Sequence, residues 1–260
     1  MSFMILGDYS NEGGERAQQL IHDARRVVVL TGAGISTDSG IPDFRGPQGL
    51  WTKNPKAERT SSLQHYLADP EVRMIAWQSR LHSPAWDAQP NAGHAAIVEL
   101  ERRGKLHTLV TQNIDELHQR AGSSPDLIVE VHGTMRRAVC WSCNREWPMQ
   151  PFLDRVAAGE PDPACPECGG IVKSATISFG QNLVEADLQR AFTAASTCDL
   201  LLCVGSTLAV GPINRMVPLA KTIGAHIIIM NGQPTEMDHL ASVVVRASIS
   251  DVQPRIVAPL

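Results

Sequence analysis

Three observations predict an α/β fold built on a Rossmann-like, doubly wound parallel sheet. Short continuous apolar runs recur along the chain, helical patterns fall between several of them, and a glycine-rich turn directly follows the first run. The runs are Val27 to Leu30, Leu106 to Val110, Leu200 to Val204, His226 to Met230 and Val243 to Val245. None alternates apolar with polar residues, which is the pattern of strands covered on both faces. Ala92 to Arg103, Leu183 to Thr197 and Asn214 to Ile223 carry apolar residues at helical spacing and read as crossovers.

Two stretches break this rhythm. Trp51 to Pro90 has no strand pattern, holds Trp51, Trp77 and Trp86, and ends in SPAWDAQPN, so a small helical layer is expected. Arg136 to Lys173 holds paired cysteines and the proline-rich PDPACPEC, and reads as a separate small lobe. The expected division is a Rossmann-like dinucleotide-binding domain over residues 1–50, 91–135 and 174–260, a helical insertion over 51–90 and a zinc-binding lobe over 136–173.

With 260 residues, 43% hydrophobic and 19% charged, the chain is long and apolar enough for a substantial core. Its net charge of −4 argues against nucleic acid as the main partner, since phosphate binding needs a basic surface. No run of about 18 apolar residues occurs, so no membrane partner is expected. The opening MSFMILGDYSNEGGER lacks the basic start and apolar stretch of a secretion signal. A cytoplasmic location is therefore expected, and cysteines there read as metal ligands or core residues before disulfides.

After the first run comes TGAGISTDSGIPDFRG. Gly32 and Gly34 match the first two glycines of a dinucleotide loop, where a missing side chain permits a tight turn and close approach of a pyrophosphate. Thr37 stands where the third glycine belongs, and no acidic residue closes a second strand about 20 residues on. Ile41, Pro42, Asp43, Phe44 and Arg45 then place a carboxylate, an aromatic ring and a guanidinium beside the loop, as a flap over a bound cofactor. Arg45 suits phosphate and Phe44 suits a ring.

Cys140-Trp-Ser-Cys143 and Cys165-Pro-Glu-Cys168 are two C-x-x-C pairs. Four thiolates at this spacing suit one tetrahedral zinc with no open position, hence a structural metal; an iron–sulfur cluster or a redox dithiol is the alternative. Cys198 and Cys203 lie in or near a buried strand and read as core residues.

Polar residues gather where strands end, the place at which open α/β sheets bind ligands. Leu106 to Val110 runs into Thr111, Gln112, Asn113, Ile114 and Asp115. His132 follows a short apolar stretch just before the cysteine lobe and reads as a general base, against a structural histidine as the alternative. Gly205, Ser206 and Thr207 close one run and Asn231 another, suited to bonding ribose or phosphate.

In this order, GAGIS, GIPDFR, TQNID, the pair Leu117-His118, the pair His132-Gly133, the two C-x-x-C pairs, Phe179-Gly180 and GSTL at Gly205 to Leu208 resemble the sirtuin family of NAD-dependent protein deacylases over nearly the whole chain. The resemblance implies NAD as a consumed co-substrate and acyl-lysine proteins or peptides as partners. It implies that Ala33, Phe44 and Arg45 line the cofactor loop, that Ile41, Asn113 and Asp115 hold the nicotinamide carboxamide, and that Ile249 adds a cofactor contact. The acyl oxygen would attack the ribose carbon as nicotinamide leaves, and His132 would take a proton from a ribose hydroxyl that then attacks the imidate. Products would be free lysine, nicotinamide and an O-acyl-ADP-ribose. The peptide would add as a strand between the segments near Phe179, Gly180 and Val210.

The chain departs from the family pattern at several points. F-G-E reads Phe179-Gly180-Gln181, G-T-S reads Gly205-Ser206-Thr207, and Ser174 replaces a common proline. Of the Y-x-x-R pair that marks a preference for acidic acyl groups, Trp77 to Arg80 keeps only the arginine, so acetyl or a longer apolar acyl group is expected. Mono-ADP-ribosyl transfer on the same fold, a hydride-transferring dehydrogenase and a zinc-ribbon binding module are the competing readings.

Overall fold

The computed structural model describes residues 11–44, 46, 49–53 and 59–260. Arg45, expected at the cofactor loop, lies outside the described residues.

Helix α1 (Asn11–Asp23) leads into strand β1 (Val27–Thr31). The helical layer follows as α2 (Leu50–Lys53), α3 (Leu63–Ala68) and α4 (Pro70–Leu81). Asp69 caps α4 by accepting the main-chain N–H of Glu71, with Pro70 in the first turn where its missing donor costs nothing. Helix α5 (Ala92–Arg102) opens on a reciprocal cap between Asn91 and His94, then returns the chain to β2 (Leu106–Thr111). Helix α6 (Leu117–Ala121) precedes β3 (Ile128–Glu130).

Next come β4 (Gly133–Cys140), β5 (Glu146–Pro148), α7 (Gln150–Ala157) and β6 (Val172–Thr176). The chain then re-enters the main sheet through α8 (Glu185–Ala195), β7 (Leu200–Val204), α9 (Met216–Thr222) and β8 (His226–Met230). Strand β9 (Val243–Val245) and α10 (Ile249–Val257) complete it.

The main sheet is six-stranded and parallel, in the order β3-β2-β1-β7-β8-β9. Helices cover both faces. Val27 and Val29 pack into a cluster with Leu20, Ile97, Leu100 and Ile256 from α1, α5 and α10. Val28 and Leu30 pack with Ala191, Ala194, Met216 and Val217 from α8 and α9. The doubly wound sheet expected from the apolar runs is present, with one addition: β3 is a sixth strand. It holds only two apolar residues, Ile128 and Val129, before Glu130, too few to stand out as a continuous run.

Strand order reverses between β1 and β7, so the loops leaving their carboxyl ends lie side by side. A cleft forms at such a switch point. The small lobe carries a three-stranded antiparallel sheet, β5-β4-β6, which runs from Gly133 to Thr176 and so extends past both ends of 136–173.

The lobe shares its core with the helical layer. Fully buried Trp77 of α4 packs with Ala138, Cys140, Phe152 and Val172, and its ring stacks on Phe152 at a centroid distance of 6.1 Å. Each piece is about 40 residues, too small to close a core alone, and the two share one. No helix among the described residues is long and apolar enough to cross a membrane.

Candidate active site

A cleft of about 1990 Å³ opens along the carboxyl ends of the main-sheet strands and extends toward the helical layer. Gly32, Ala33, Gly34, Ile41, Asp43 and Phe44 line it from the loop after β1. Gln112, Asn113, Ile114 and Asp115 enter from the end of β2, and His132 from the residues after β3. Gly205, Ser206 and Thr207 contribute from β7, Asn231 from β8 and Ile249 from the start of α10. Phe179, Gly180 and Val210 border it as well. Every expected cofactor and substrate residue that is described therefore borders one cavity.

The glycine loop is shaped by its neighbour as much as by a ligand. Gly34 N–H donates to the Gly205 carbonyl at 2.8 Å, and Gly32 N–H to that of Val204 at 3.0 Å. A Cβ on Gly32 would lie 2.8 Å from the Gly205 oxygen, and one on Gly34 2.7 Å from the Gly205 Cα. Two loops thus interlock through bare main chain. The absent third glycine also finds its reason. Ala33–Ser39 is a 3-10 helix, not the start of an α-helix packed on the sheet, and Thr37 on it is exposed with its hydroxyl on the Gly34 carbonyl.

Behind this loop lies a buried polar network. The Ser36 hydroxyl donates to Asp115 at 2.7 Å. Asn113 Nδ2 lies 3.2 Å from both the Gly32 carbonyl and the Ser36 Oγ. The second Asp115 oxygen accepts the Leu117 N–H at 2.9 Å. One layer deeper, Thr31 donates to Thr111 at 2.8 Å and lies 3.0 Å from His118 Nε2. His118 in turn sits against His94, ring centroids 4.9 Å apart. Burial holds His118 well below the usual histidine range, and drives His94 down to about 4 against the opposing pull of Asp115.

His132 is oriented from the main chain. Its Nδ1 lies 2.9 Å from the Gln112 carbonyl, which only accepts, so Nδ1 carries the proton and Nε2 has a free lone pair. Burial lowers its pKa below 6.5, partly offset by that same hydrogen bond, so the ring is neutral at pH 7. The Gln112 side chain reaches across to Ser206 Oγ at 2.9 Å, linking the β2 and β7 loops.

Ser36, Thr31, His94 and Arg246 were not expected as site residues. Arg246 borders the cleft, pairs with Asp238 and bonds the Asn231 carbonyl at 3.0 Å. Also bordering the cleft, Phe179 already uses its N–H and C=O on Ser61 and Leu63 of the helical layer, at 2.8 and 3.0 Å.

In the small lobe, the Sγ atoms of Cys140, Cys143, Cys165 and Cys168 all lie within 4.8 Å of one another. Cys140 to Cys168 is 3.6 Å and Cys143 to Cys165 3.8 Å. Disulfides need about 2.05 Å. Four sulfurs about 2.3 Å from a central zinc stand about 3.8 Å apart, so this cage fits the ion. Left-handed Asn144 and Gly169 close matching turns back onto the Cys140 and Cys165 carbonyls. All four donors are protein sulfur, which leaves a structural metal away from the cleft. Cys198 and Cys203 are buried with their thiols pushed up, as core residues should be.

Fold and site together define a doubly wound α/β protein with a nucleotide-type cleft, a buried acid–amide–hydroxyl network beside it, and a four-cysteine lobe. The Sir2 family model matches residues 32–212, and the chain belongs to that family. It is 43% identical over 234 residues to NAD-dependent protein deacetylase 2 of Streptomyces coelicolor, covering 90% of this chain and 97% of the relative. Identity to the NAD-dependent protein deacetylase of Sulfolobus acidocaldarius is 37% over 250 residues, 96% of each chain. A solved structure described as "Structural Basis for the Mechanism and Regulation of Sir2 Enzymes" matches with a TM-score of 0.87 at 36% identity, covering 95% of this chain and 97% of that one. Another, a Sir2–p53 peptide–NAD+ complex, matches with a TM-score of 0.84 at 29% identity over 93% and 96%.

Proposed function

We propose that this chain is an NAD-dependent protein-lysine deacylase, acting on acetyl-lysine in proteins or peptides and transferring the acyl group to ADP-ribose. The observation that carries the reading is His132 at the cleft wall, neutral and with Nε2 free, in the same cavity as the glycine loop and the Asn113–Ser36–Asp115 network.

The donor set suits a dinucleotide: interlocked glycine loops, hydroxyls of Ser206 and Thr207, amides of Gln112 and Asn231, and Phe44 partly exposed over the opening. Bound NAD supplies the nicotinamide leaving group and the ribose that receives the acyl group. The protein's residues do the rest. Asn113 and Asp115, fixed by Ser36, present polar groups to the carboxamide, with Ile41 beside them. His132 Nε2 accepts the hydroxyl proton while Gln112 holds the ring's orientation. The relatives' names favour deacetylation over ADP-ribosyl transfer to protein.

The peptide lies along the rim of Phe179, Gly180 and Val210. Phe179 has both main-chain groups on the helical layer, so Gly180 supplies the main-chain bonding on that side. Residues 1–50, 91–135 and 174–260 serve as the NAD-binding domain, 51–90 as its helical insertion and 136–173 as the zinc-binding lobe. The reduced thiols of the cysteine cage suit a cytoplasmic setting. The test is mass spectrometry of products formed from NAD and a panel of acyl-lysine peptides. Nicotinamide, free lysine and an O-acyl-ADP-ribose are expected, with acetyl the preferred group; a reaction yielding none of the three removes the proposal.

A further inference from the structure

Lys173 is only 1% exposed, an unusual state for a lysine. Its Nζ lies 2.9 Å from the Ser174 carbonyl, 2.5 Å from that of Thr176 and 3.4 Å from Gln181 Oε1. Gln181 Oε1 also accepts the Ser178 N–H at 3.2 Å. The same turn bonds the His132 carbonyl through Ile177 N–H at 2.8 Å and Ser61 through Phe179 N–H. One cation therefore gathers the points from which Phe179 and Gly180 are held. None of these partners carries a charge, and no ion pair joins Lys173 among the described residues.

We infer that Lys173 is a positioning residue: its buried side chain clamps the turn that carries Phe179 and Gly180, and so sets affinity for the peptide but not for NAD. The inference rests on the peptide binding at that rim, as proposed above.

The groups facing Lys173 leave its charge uncompensated. From α4 comes a second cation, Arg80. From α3 comes Tyr66, whose hydroxyl bonds the Val172 carbonyl and stays protonated up to about 12. From β4, Val139 lies in register beside it, while the Ser174 and Thr176 hydroxyls bond one another at 2.8 Å. Burial, then Arg80, lowers Lys173 to about 8. Below that pH the ammonium has three donors for three acceptors. Above it the amine has two, and one point of the turn is released.

The test is the pH dependence of peptide and NAD KM, from neutral to alkaline, for the wild type, Lys173→Met and Gln181→Glu with one acetyl-lysine peptide. Wild-type peptide KM should rise along an alkaline limb. Lys173→Met should show a peptide KM raised about tenfold at neutral pH, no limb, and NAD KM within about twofold. Gln181→Glu puts a carboxylate beside the ammonium and should move the limb upward. A Lys173→Met enzyme with wild-type peptide KM at neutral pH, or with the limb intact, overturns the inference. If that variant does not fold, Gln181→Glu decides, and an unmoved limb overturns it. A wild type that deacylates no peptide overturns the deacylase reading, and this inference with it; normal wild-type turnover beside an unaltered Lys173→Met overturns the inference alone.

Discussion

Ser36 and Asp115 stand 79 positions apart in the chain, yet the Ser36 hydroxyl donates to the Asp115 carboxylate at 2.7 Å inside the protein. Asn113 closes the triangle by donating to the same hydroxyl. A serine on the glycine loop thereby sets the position of the two polar side chains that close the β2 strand. Ser36→Ala leaves a buried carboxylate oxygen and an amide N–H each short of a partner. Deacylation should fall about tenfold to a hundredfold, matching the loss of a hydrogen bond to a charged group. Steady-state kinetics with varied NAD will check this, and unchanged kcat/KM would show that the triangle is not part of the site.

His132 must be neutral to accept a proton, and its pKa is lowered mainly by burial. On the acid side, kcat should hold through pH 7 and decline only below the ordinary histidine value of about 6.5. His132→Ala should lose about 10²- to 10⁴-fold in kcat with the fold intact by circular dichroism. An acid limb at or above that value would mean that the ring is charged in the resting enzyme.

His94 and His118 are buried side by side, and both resist protonation. The unfolded chain takes up protons near pH 6.5 while the folded chain holds off until about 4 at His94. The unfolded state therefore binds more protons in that window, and stability must fall as pH drops through it. His94 alone should make the chain about 2 kcal/mol less stable to urea at pH 5 than at pH 7, and His118 adds to that loss. His94→Asn should remove the His94 share and leave that of His118.

Much of this architecture was legible in the chain because fully covered strands leave continuous apolar runs, and five of the six main strands did so. Strand β3 left no such mark, because Glu130 breaks its apolar content after two residues. The cysteine cage was legible because its ligands come as two local pairs whose spacing is itself the signal. The Ser36–Asp115 bond had no local signal, since it joins distant loops that only the sheet order brings together. Lys173 was invisible for a different reason: lysine is read as a surface residue, and nothing local marks one whose acceptors are main-chain carbonyls. Trp77 is similar, because an aromatic in a helical stretch does not say which neighbour it will stack on, and Phe152 lies in the other insertion.

Removing the metal should act on stability before chemistry. The four thiolates sit in the lobe whose core contains Cys140, Cys165 and Trp77, and none of them lines the cleft, which the lobe reaches through Met135, Ser174 and Thr176. Metal analysis should find one zinc per chain, and cobalt substitution should give the visible bands of a tetrahedral four-sulfur site. Cys143→Ser should lower metal content and the unfolding temperature together. A cobalt spectrum with an exchangeable fourth ligand would contradict a purely structural metal.

The central claim is that NAD is consumed at this cleft, its nicotinamide bond broken for each lysine freed. The direct measurement is the ratio of nicotinamide released to acetyl-lysine peptide deacetylated, followed in one reaction alongside the absorbance of reduced cofactor. A ratio of one, with no reduced cofactor and with O-acetyl-ADP-ribose as the third product, is expected. Peptide deacetylated without nicotinamide, or reduced cofactor accumulating in its place, would contradict it.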